Sequence, residues 1–224
     1  MAVSPELVAA RITAIQKTIP ESVTLVAVTK QVPPHLMAIA YEMGIRNFGE
    51  SKVQEAAEKQ AQLSSLTEIT WHLIGHLQRN KANKALDQFQ WIHSVDSIRL
   101  AQRIDHLAAM SDSKPKVCLQ VKLRSDPNKY GWSIEALLQD MPQLDQLENL
   151  RIQGLMTIPP YGLSAAENRA IFDDARQLAE KLQQYSPSHI TMDHLSMGMS
   201  DDYLVAIEAG ATMVRLGRAI FGER

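Results

Sequence analysis

The sequence predicts an α/β protein of the (β/α)8 TIM-type barrel class, with a single domain over residues 1–224. Eight short apolar runs alternate with segments that have helical spacing, an order typical of parallel strands joined by helical crossovers. The chain has 224 residues, which suits one α/β barrel. An open doubly wound sheet is the structural alternative, because it is built from the same alternation.

The eight predicted strands are apolar runs bounded by polar or turn residues. They cover residues 25–29, 45–48, 70–74, 91–94, 116–122, 151–156, 191–195 and 212–216.

Two of the intervening segments show helix spacing most clearly. In the opening segment, apolar residues from Val8 to Ile19 repeat at intervals of four, three and four, and Ser4 and Pro5 supply a cap and a first-turn proline. The segment after the sixth strand places six apolar residues on one helix face. These are Ile171, Phe172, Ala175, Leu178, Ala179 and Leu182.

Composition argues against several functional classes. The net charge is -2 and the sequence pI is about 6.4, so neither nucleic acid nor an anionic membrane is expected as the main partner. No apolar stretch is long enough for a membrane span, and the first residues do not resemble a secretory signal. The single Cys118 lies inside an apolar run and is expected to be a small buried side chain. A cytoplasmic, reducing location is therefore predicted.

Lys30 ends the first apolar run, where a turn residue or a cap is more usual. Partial burial at the end of a strand favours the neutral form of a lysine and lowers its pKa. A neutral amine attacks a carbonyl carbon and forms a Schiff base. A surface lysine that merely closes a strand is the alternative.

The residues after the last two predicted strands indicate a phosphate site. In a barrel the ligand site forms at the C-terminal ends of the strands, and phosphate often binds after strands seven and eight. Ser196 and Gly198 allow close backbone approach, and Ser200 offers a hydroxyl at a helix start. Gly217 and Arg218 open the terminal segment, where Arg218 adds positive charge. A simple turn rich in serine and glycine is the alternative.

A Schiff-base lysine opposite a phosphate site predicts a ligand that carries an aldehyde and a phosphate. Pyridoxal 5'-phosphate (PLP) fits, and so does a phosphorylated sugar in an aldolase. Arg215 helps to distinguish PLP from a phosphorylated sugar, because a guanidinium at the end of strand eight could point at the ring nitrogen of a pyridine. Its permanent charge would keep that nitrogen unprotonated. Such a ring is a poorer electron sink. A surface or ion-paired arginine is the alternative.

Seven segments resemble those of the PLP homeostasis protein family, whose members are single-domain relatives of the alanine racemase N-terminal barrel. They occur in the family's order and cover nearly the whole chain. The segments are 25–30, 47–50, 53–55, 71–81, 154–159, 195–202 and 213–222.

The resemblance implies a barrel of PLP fold type III without the racemase β-domain. It implies that Lys30 carries PLP as a Schiff base, as an N6-pyridoxal phosphate lysine. It also implies that Arg215 faces the pyridine nitrogen and that Asn47 lies beside the ring.

The resemblance also assigns the phosphate contacts. Ser196, with the backbone at Gly217 and Arg218, would hold the phosphate. The sequence departs from the common family pattern at two positions near the cofactor, where Ser51 replaces an asparagine and Arg218 a threonine.

The function that the resemblance implies is binding and delivery of PLP in vitamin B6 homeostasis, with effects on amino-acid metabolism and no established turnover. A racemase needs two bases, and the racemases resembled take the second, a tyrosine, from a β-domain that this chain is expected to lack. Weak racemase-like activity is the alternative. None of the five tyrosines is expected to act as a second base. They are Tyr41, Tyr130, Tyr161, Tyr185 and Tyr203.

Two further hypotheses come from other classes of protein. A metal-dependent hydrolase would use histidines near strand ends, but inward acidic ligands are missing, so no metal is expected. A regulatory protein would act through a partner docked on the basic residues after strand three. We expect a monomer with PLP-requiring apo-enzymes as candidate partners, and residues 125–129 are a candidate lid. The histidines are His72, His76, His93 and His194, and the basic residues are Arg79, Lys81 and Lys84.

Overall fold

Eight parallel strands form a closed barrel in the order of the chain. The computed structural model describes residues 4–126, 129–185 and 190–223, and for Tyr185 the backbone alone. The barrel closes where the first strand pairs in parallel with the eighth, which excludes the open sheet. The strands are β1 (Thr24–Val28), β2 (Asn47–Glu50), β3 (Thr70–Leu73), β4 (Trp91–Val95), β5 (Lys116–Val121), β6 (Arg151–Thr157), β7 (His194–Ser196) and β8 (Met213–Leu216).

Each predicted strand overlaps an observed one, and the largest shifts are in β2 and β7. The second strand extends through Gly49 and Glu50, which pair with His72 and Leu73 although they resemble loop residues in the sequence. The seventh strand is three residues long, and it shares one register pair with β8, between Ser196 and Met213. Strand ends in this barrel therefore depend on pairing with neighbours as well as on local composition.

Helices cover the outside of the barrel and bury one face against it. The first begins after Ser4, whose Oγ accepts a hydrogen bond from the Leu7 amide at 3.3 Å, as the capping pattern predicts. No helix within the described ranges is both long and apolar enough to span a membrane. The helices are α1 (Pro5–Gln16), α2 (Pro34–Glu42), α3 (Val53–Gln62), α4 (Ala82–Gln88), α5 (Ile98–Ala108), α6 (Ile134–Leu144), α7 (Ala165–Tyr185), α8 (Tyr203–Glu208) and α9 (Arg218–Phe221).

Close contact between β6 and β7 depends on one glycine. A Cβ added at Gly154 would lie 1.9 Å from the carbonyl oxygen of His194, a distance that no side chain can occupy. Nearby, Trp91, Cys118 and Met156 belong to a small apolar cluster. Cys118 is fully buried, as predicted. Burial raises the pKa of its thiol to about 12, so the thiol is protonated at neutral pH.

Candidate functional site

A cavity of about 370 Å³ opens at the carboxyl ends of the strands, beside β1 and β8. Four of the six residues that the sequence predicts for the site line it together: Lys30, Arg215, Gly217 and Arg218. The volume lies at the lower end of the range for small-molecule sites. The full lining comprises Val28, Lys30, Gln31, Ser51, Ile74, Ile158, Met199, Ser200, Arg215, Gly217 and Arg218.

The backbone is anchored on both sides of Lys30. Before it, the Thr29 carbonyl accepts a hydrogen bond from Lys59 Nζ at 2.6 Å. After it, the Gln31 amide donates to Glu55 Oε1 at 2.5 Å, and Gln31 has a φ of +59°. The Lys30 side chain is exposed rather than partly buried, because Lys30 lies two residues past the end of β1. The backbone that carries the Lys30 side chain is therefore held in place at the edge of an open cavity.

A buried ion cluster supports this anchor, and the sequence analysis missed it. Lys59 Nζ also lies 2.8 Å from Glu50 Oε1 and 2.7 Å from Glu55 Oε1. The Thr29 hydroxyl donates to the same Glu50 oxygen at 2.6 Å. Burial raises the pKa of Glu50, while its bonds to Lys59 and Thr29 oppose that shift. The available signal was the position of Lys59 on the apolar face of α3, three residues after the buried Ala56.

Arg215 is a buried cation in the wall of the cavity. Its side chain donates from Nη1 to Ser196 Oγ at 2.7 Å and from Nη2 to the Thr157 carbonyl at 3.0 Å. Burial lowers the pKa of Arg215 to about 10, so the guanidinium keeps its charge at neutral pH. Both described hydrogen-bond acceptors are neutral oxygen atoms, whereas the carboxylate of Asp202 acts on the guanidinium through charge alone and raises its pKa.

Ser196 and Asn47 do not line this cavity. Ser196 is fully buried, and its hydroxyl contacts Arg215 and also His93 Nδ1, at 2.7 Å. Asn47 is the first residue of β2, contacts His72 Nε2 through Oδ1 at 3.0 Å, and lines a separate cavity at the amino ends of β1 and β2. The structure therefore connects both residues to the barrel interior.

The loop after β7 is held in a shape that requires glycine. Gly198 has a φ of +92°, and a Cβ there would lie 2.6 Å from the Cβ of Ala206. The Gly198 carbonyl accepts a hydrogen bond from the Arg215 amide at 3.0 Å. Ser200 Oγ accepts from the Ala219 amide at 3.1 Å and lines the cavity. The two loops of the predicted phosphate site are thus bonded to each other, with the Ser200 hydroxyl at the cavity.

The charge of Arg218 is shared with acidic neighbours. Its guanidinium pairs with Asp201 and lies 3.8 Å from Glu223 Oε1, and its side chain is half exposed. Arg218 lines the cavity beside Gly217. Arg218 therefore presents its backbone and a partly neutralised side chain to the cavity.

The loop after β5 crosses the rim of the barrel near the site. Tyr130 stacks on His76 with ring centroids 3.6 Å apart, and Lys129 Nζ donates to the Ile158 carbonyl at 3.3 Å. Residues 127 and 128 of the candidate lid lie outside the described residues. The flanking residues therefore connect the loops that follow β3, β5 and β6.

The four histidines proposed as possible metal ligands each contact local partners instead. His72 and His93 bond to each other at 2.9 Å, His76 bonds to Asp96 at 2.8 Å, and His194 packs edge-on against Trp91. Across residues 4–126, 129–185 and 190–223, no group of three or more potential ligands among His, Cys, Asp and Glu is placed to hold a metal ion.

Comparison with known proteins identifies relatives along nearly the whole chain. The family model for the alanine racemase N-terminal domain matches residues 3–224. The pyridoxal phosphate homeostasis protein of Synechocystis sp. is 48% identical over 207 residues, covering 92% of this chain and 94% of that protein. That of Pseudomonas aeruginosa is 41% identical over 205 residues, covering 92% of this chain and 86% of that protein.

Solved structures superpose on nearly the whole chain. PipY of Synechococcus elongatus PCC7942 with PLP bound superposes with a TM-score of 0.92 at 48% identity, covering 96% of this chain and all of that one. An alanine racemase of Clostridium difficile 630 superposes with a TM-score of 0.79 at 17% identity, covering 98% of this chain and 60% of that one, and shares the fold. The chain belongs to the pyridoxal phosphate homeostasis protein family, within the alanine racemase N-terminal domain family.

Proposed function

We propose that the protein binds PLP covalently through Lys30 and serves in vitamin B6 homeostasis. The observation that carries this proposal is the meeting of Lys30, Arg215 and the loop residues Ser200 and Gly217 around one cavity. Their chemistry matches the three functional parts of PLP: an amine for the aldehyde, a guanidinium for the pyridine nitrogen, and a hydroxyl with backbone groups for the phosphate. When bound, PLP supplies the aldehyde that an amine captures reversibly.

The residues around Lys30 would favour capture and release over further chemistry. The anchored backbone at Thr29 and Gln31 holds the amine at the cavity edge, and the open mouth leaves it reachable from solvent. Arg215, a permanent donor, would accept no proton from the pyridine nitrogen and would keep that nitrogen unprotonated. A ring in that state draws electrons weakly, which suits a carrier.

For the phosphate we propose Ser200 together with the backbone at Gly217 and Arg218, since all three line the cavity. Ser196 and Asn47 would act indirectly. Ser196 reaches the site through its hydrogen bond to Arg215, and Asn47 through its bond to His72.

The second base of a racemase has no counterpart among the side chains described at this cavity. Of the tyrosines with described side chains, none lines it. Tyr41 donates to Glu68, Tyr203 bonds to Thr18, and Tyr161 is 95% exposed. We therefore favour binding and delivery of PLP over racemase-like turnover.

The setting of this function is also a proposal. We propose a monomer formed by one domain over residues 1–224, located in the cytoplasm, that passes PLP to apo-enzymes and so affects amino-acid metabolism. The names of the relatives, which describe PLP homeostasis, support this role. Delivery would be tested by loading the protein with PLP, separating it from unbound PLP by gel filtration, and measuring transfer of PLP to an apo-enzyme.

The absorbance spectrum of the purified protein with added PLP tests covalent binding. We expect a visible band that borohydride removes and that Lys30→Ala abolishes. Lys52→Ala is the matched control, because Lys52 is an exposed lysine on the same rim that does not line the cavity. A band that persists in Lys30→Ala, or its absence from the wild type, would contradict the proposal.

A further inference from the structure

Five polar side chains from five strands form one hydrogen-bonded chain across the barrel interior. Arg215 on β8 contacts Ser196 on β7 at 2.7 Å. Ser196 Oγ then lies 2.7 Å from His93 Nδ1, a contact that crosses the barrel from β7 to β4. His93 Nε2 lies 2.9 Å from His72 Nδ1 on β3, and His72 Nε2 lies 3.0 Å from Asn47 Oδ1 on β2. We call these five residues the interior polar chain.

The chemistry of Arg215 sets the direction of every proton in this chain. A guanidinium only donates hydrogen bonds, so Ser196 Oγ accepts from Arg215. The Ser196 hydroxyl then donates its own proton to His93 Nδ1. A neutral imidazole that accepts at Nδ1 carries its proton on Nε2. His93 Nε2 therefore donates to His72 Nδ1, and His72 Nε2 donates to Asn47. In the reverse direction the Ser196 hydroxyl would have no acceptor within the chain.

Beyond Arg215, the interior polar chain carries aligned dipoles rather than charge. Ser196, His72 and His93 are fully buried, and burial lowers the pKa of His72 to about 3. Burial lowers the pKa of His93 well below its usual value, and the neighbouring His72 and Arg215 lower it as well. Ser196, His93 and His72 each turn an acceptor atom toward Arg215 and a donor away from it, and aligned bonds strengthen one another in a medium of low dielectric. On its interior side the guanidinium is thus supported by dipoles, and the carboxylate that acts on it, that of Asp202, lies outside the interior polar chain.

We propose that Ser196, His93, His72 and Asn47 are positioning residues that hold the Arg215 guanidinium in the cavity wall. They commit its Nη1 donor to the interior, and Thr157 takes a donor from Nη2. The described residues accept no further hydrogen bond from the guanidinium, and its remaining donors are left for an acceptor atom of the ligand. The identity of that acceptor as a pyridine nitrogen rests on the proposed function, whereas the proton arrangement does not depend on it.

The proton arrangement is tested by ¹⁵N NMR of the histidine side chains, without ligand. We expect His72 and His93 to carry their protons on Nε2 and to remain neutral at pH 5. Single His72→Gln and His93→Gln variants assign the signals. A proton on Nδ1 of either ring, or a charged imidazole at pH 5, would overturn the proposal.

The positioning role is tested by paired substitutions at His93. Glutamine keeps one acceptor and one donor on a neutral group, whereas leucine removes both. With His93→Leu we expect PLP affinity to fall by about tenfold, since Ser196 loses its acceptor, and the visible absorbance maximum of the bound PLP to shift. His93→Gln should recover most of both readouts. A folded His93→Leu protein with unchanged affinity and spectrum, or His93→Gln impaired as much as His93→Leu, would overturn the proposal.

Two further variants complete the design. Ser196→Ala is a smaller change that breaks the same chain, and it replaces His93→Leu if that variant does not fold. His106→Gln is the control, because His106 is an exposed histidine of α5 outside the chain and should leave both readouts unchanged. A wild type without the visible band would reject the proposed function, whereas a normal band with unchanged Ser196→Ala and His93→Leu proteins would reject the positioning role.

Discussion

At the scale of single residues, two serines of one short segment have different roles. Ser196 is buried against Arg215 and His93, whereas Ser200 lines the cavity. The difference follows from their positions, since Ser196 ends β7 with its side chain in the interior and Ser200 lies in the loop beyond. The sequence motif places both near a phosphate and does not distinguish between them.

Comparing PLP with pyridoxal separates these roles. Ser200→Ala should weaken binding of PLP by about tenfold and leave pyridoxal unchanged, because it removes a hydrogen bond to a charged phosphate. Ser196→Ala should weaken both ligands, since it acts on the ring through Arg215. Dissociation constants measured by fluorescence titration would check this. Equal losses for both ligands in Ser200→Ala would contradict a phosphate role for Ser200.

At the scale of secondary structure elements, α3 anchors the loop that presents Lys30. Lys59 on this helix connects the Thr29 carbonyl to the carboxylates of Glu50 and Glu55. Glu50 is fully buried and one of its oxygens, Oε2, has no hydrogen-bond partner in the described structure. Such buried ion pairs contribute more to position than to net stability. The contact between α3 and β2 therefore fixes the position of the backbone next to Lys30.

Breaking this contact should cost stability in a pH-dependent way. Lys59→Met leaves the Glu50 carboxylate buried and unpaired, and we expect a loss of about 3–5 kcal/mol in the free energy of unfolding at pH 8. Because the folded state raises the pKa of Glu50, protonation relieves the penalty, and the loss should shrink as the pH falls. Urea denaturation at several pH values measures it.

A second substitution provides the control for Lys59→Met. Adding Glu50→Gln should recover most of the loss at pH 8, because the buried group is then neutral. A loss that is independent of pH, or that persists in the double variant, would show that lost packing rather than charge dominates.

At the scale of the whole molecule, the barrel interior holds two neutral imidazoles that the unfolded chain would protonate. His72 and His93 are both fully buried with lowered pKa values. The unfolded chain therefore binds more protons than the folded one below about pH 6.5. Since stability rises with pH wherever the unfolded state binds more protons, it is lost as the pH falls, and these two residues make the fold sensitive to acid.

The expected size of this effect is measurable. Each histidine should reduce the free energy of unfolding by about 2 kcal/mol between pH 7 and pH 5. The double variant His72→Gln/His93→Gln keeps neutral donors and acceptors and should lose about 4 kcal/mol less than the wild type over that interval. Parallel urea titrations at the two pH values make the comparison. Identical pH dependence in both proteins would contradict burial of neutral histidines.

Local sequence patterns are sufficient to predict the barrel and several of the residues that line its cavity. Alternating strands and helices predict the closed sheet, which is confirmed, because a helical crossover between successive strands makes those strands parallel. The same logic brings Lys30, Arg215, Gly217 and Arg218 to one cavity, since each follows or ends a parallel strand and all such ends meet on one rim.

Contacts across the barrel depend on tertiary structure. Ser196 and His93 lie on β7 and β4, far apart in the sequence and not neighbours in the sheet, and no local spacing encodes their approach. The same holds for Lys59, which reaches Thr29 from a helix that sequence reasoning treats as an outer layer. The physical reason is that barrel closure, strand register and side-chain direction act together to decide which interior groups meet, and a run of residues specifies only its own local conformation.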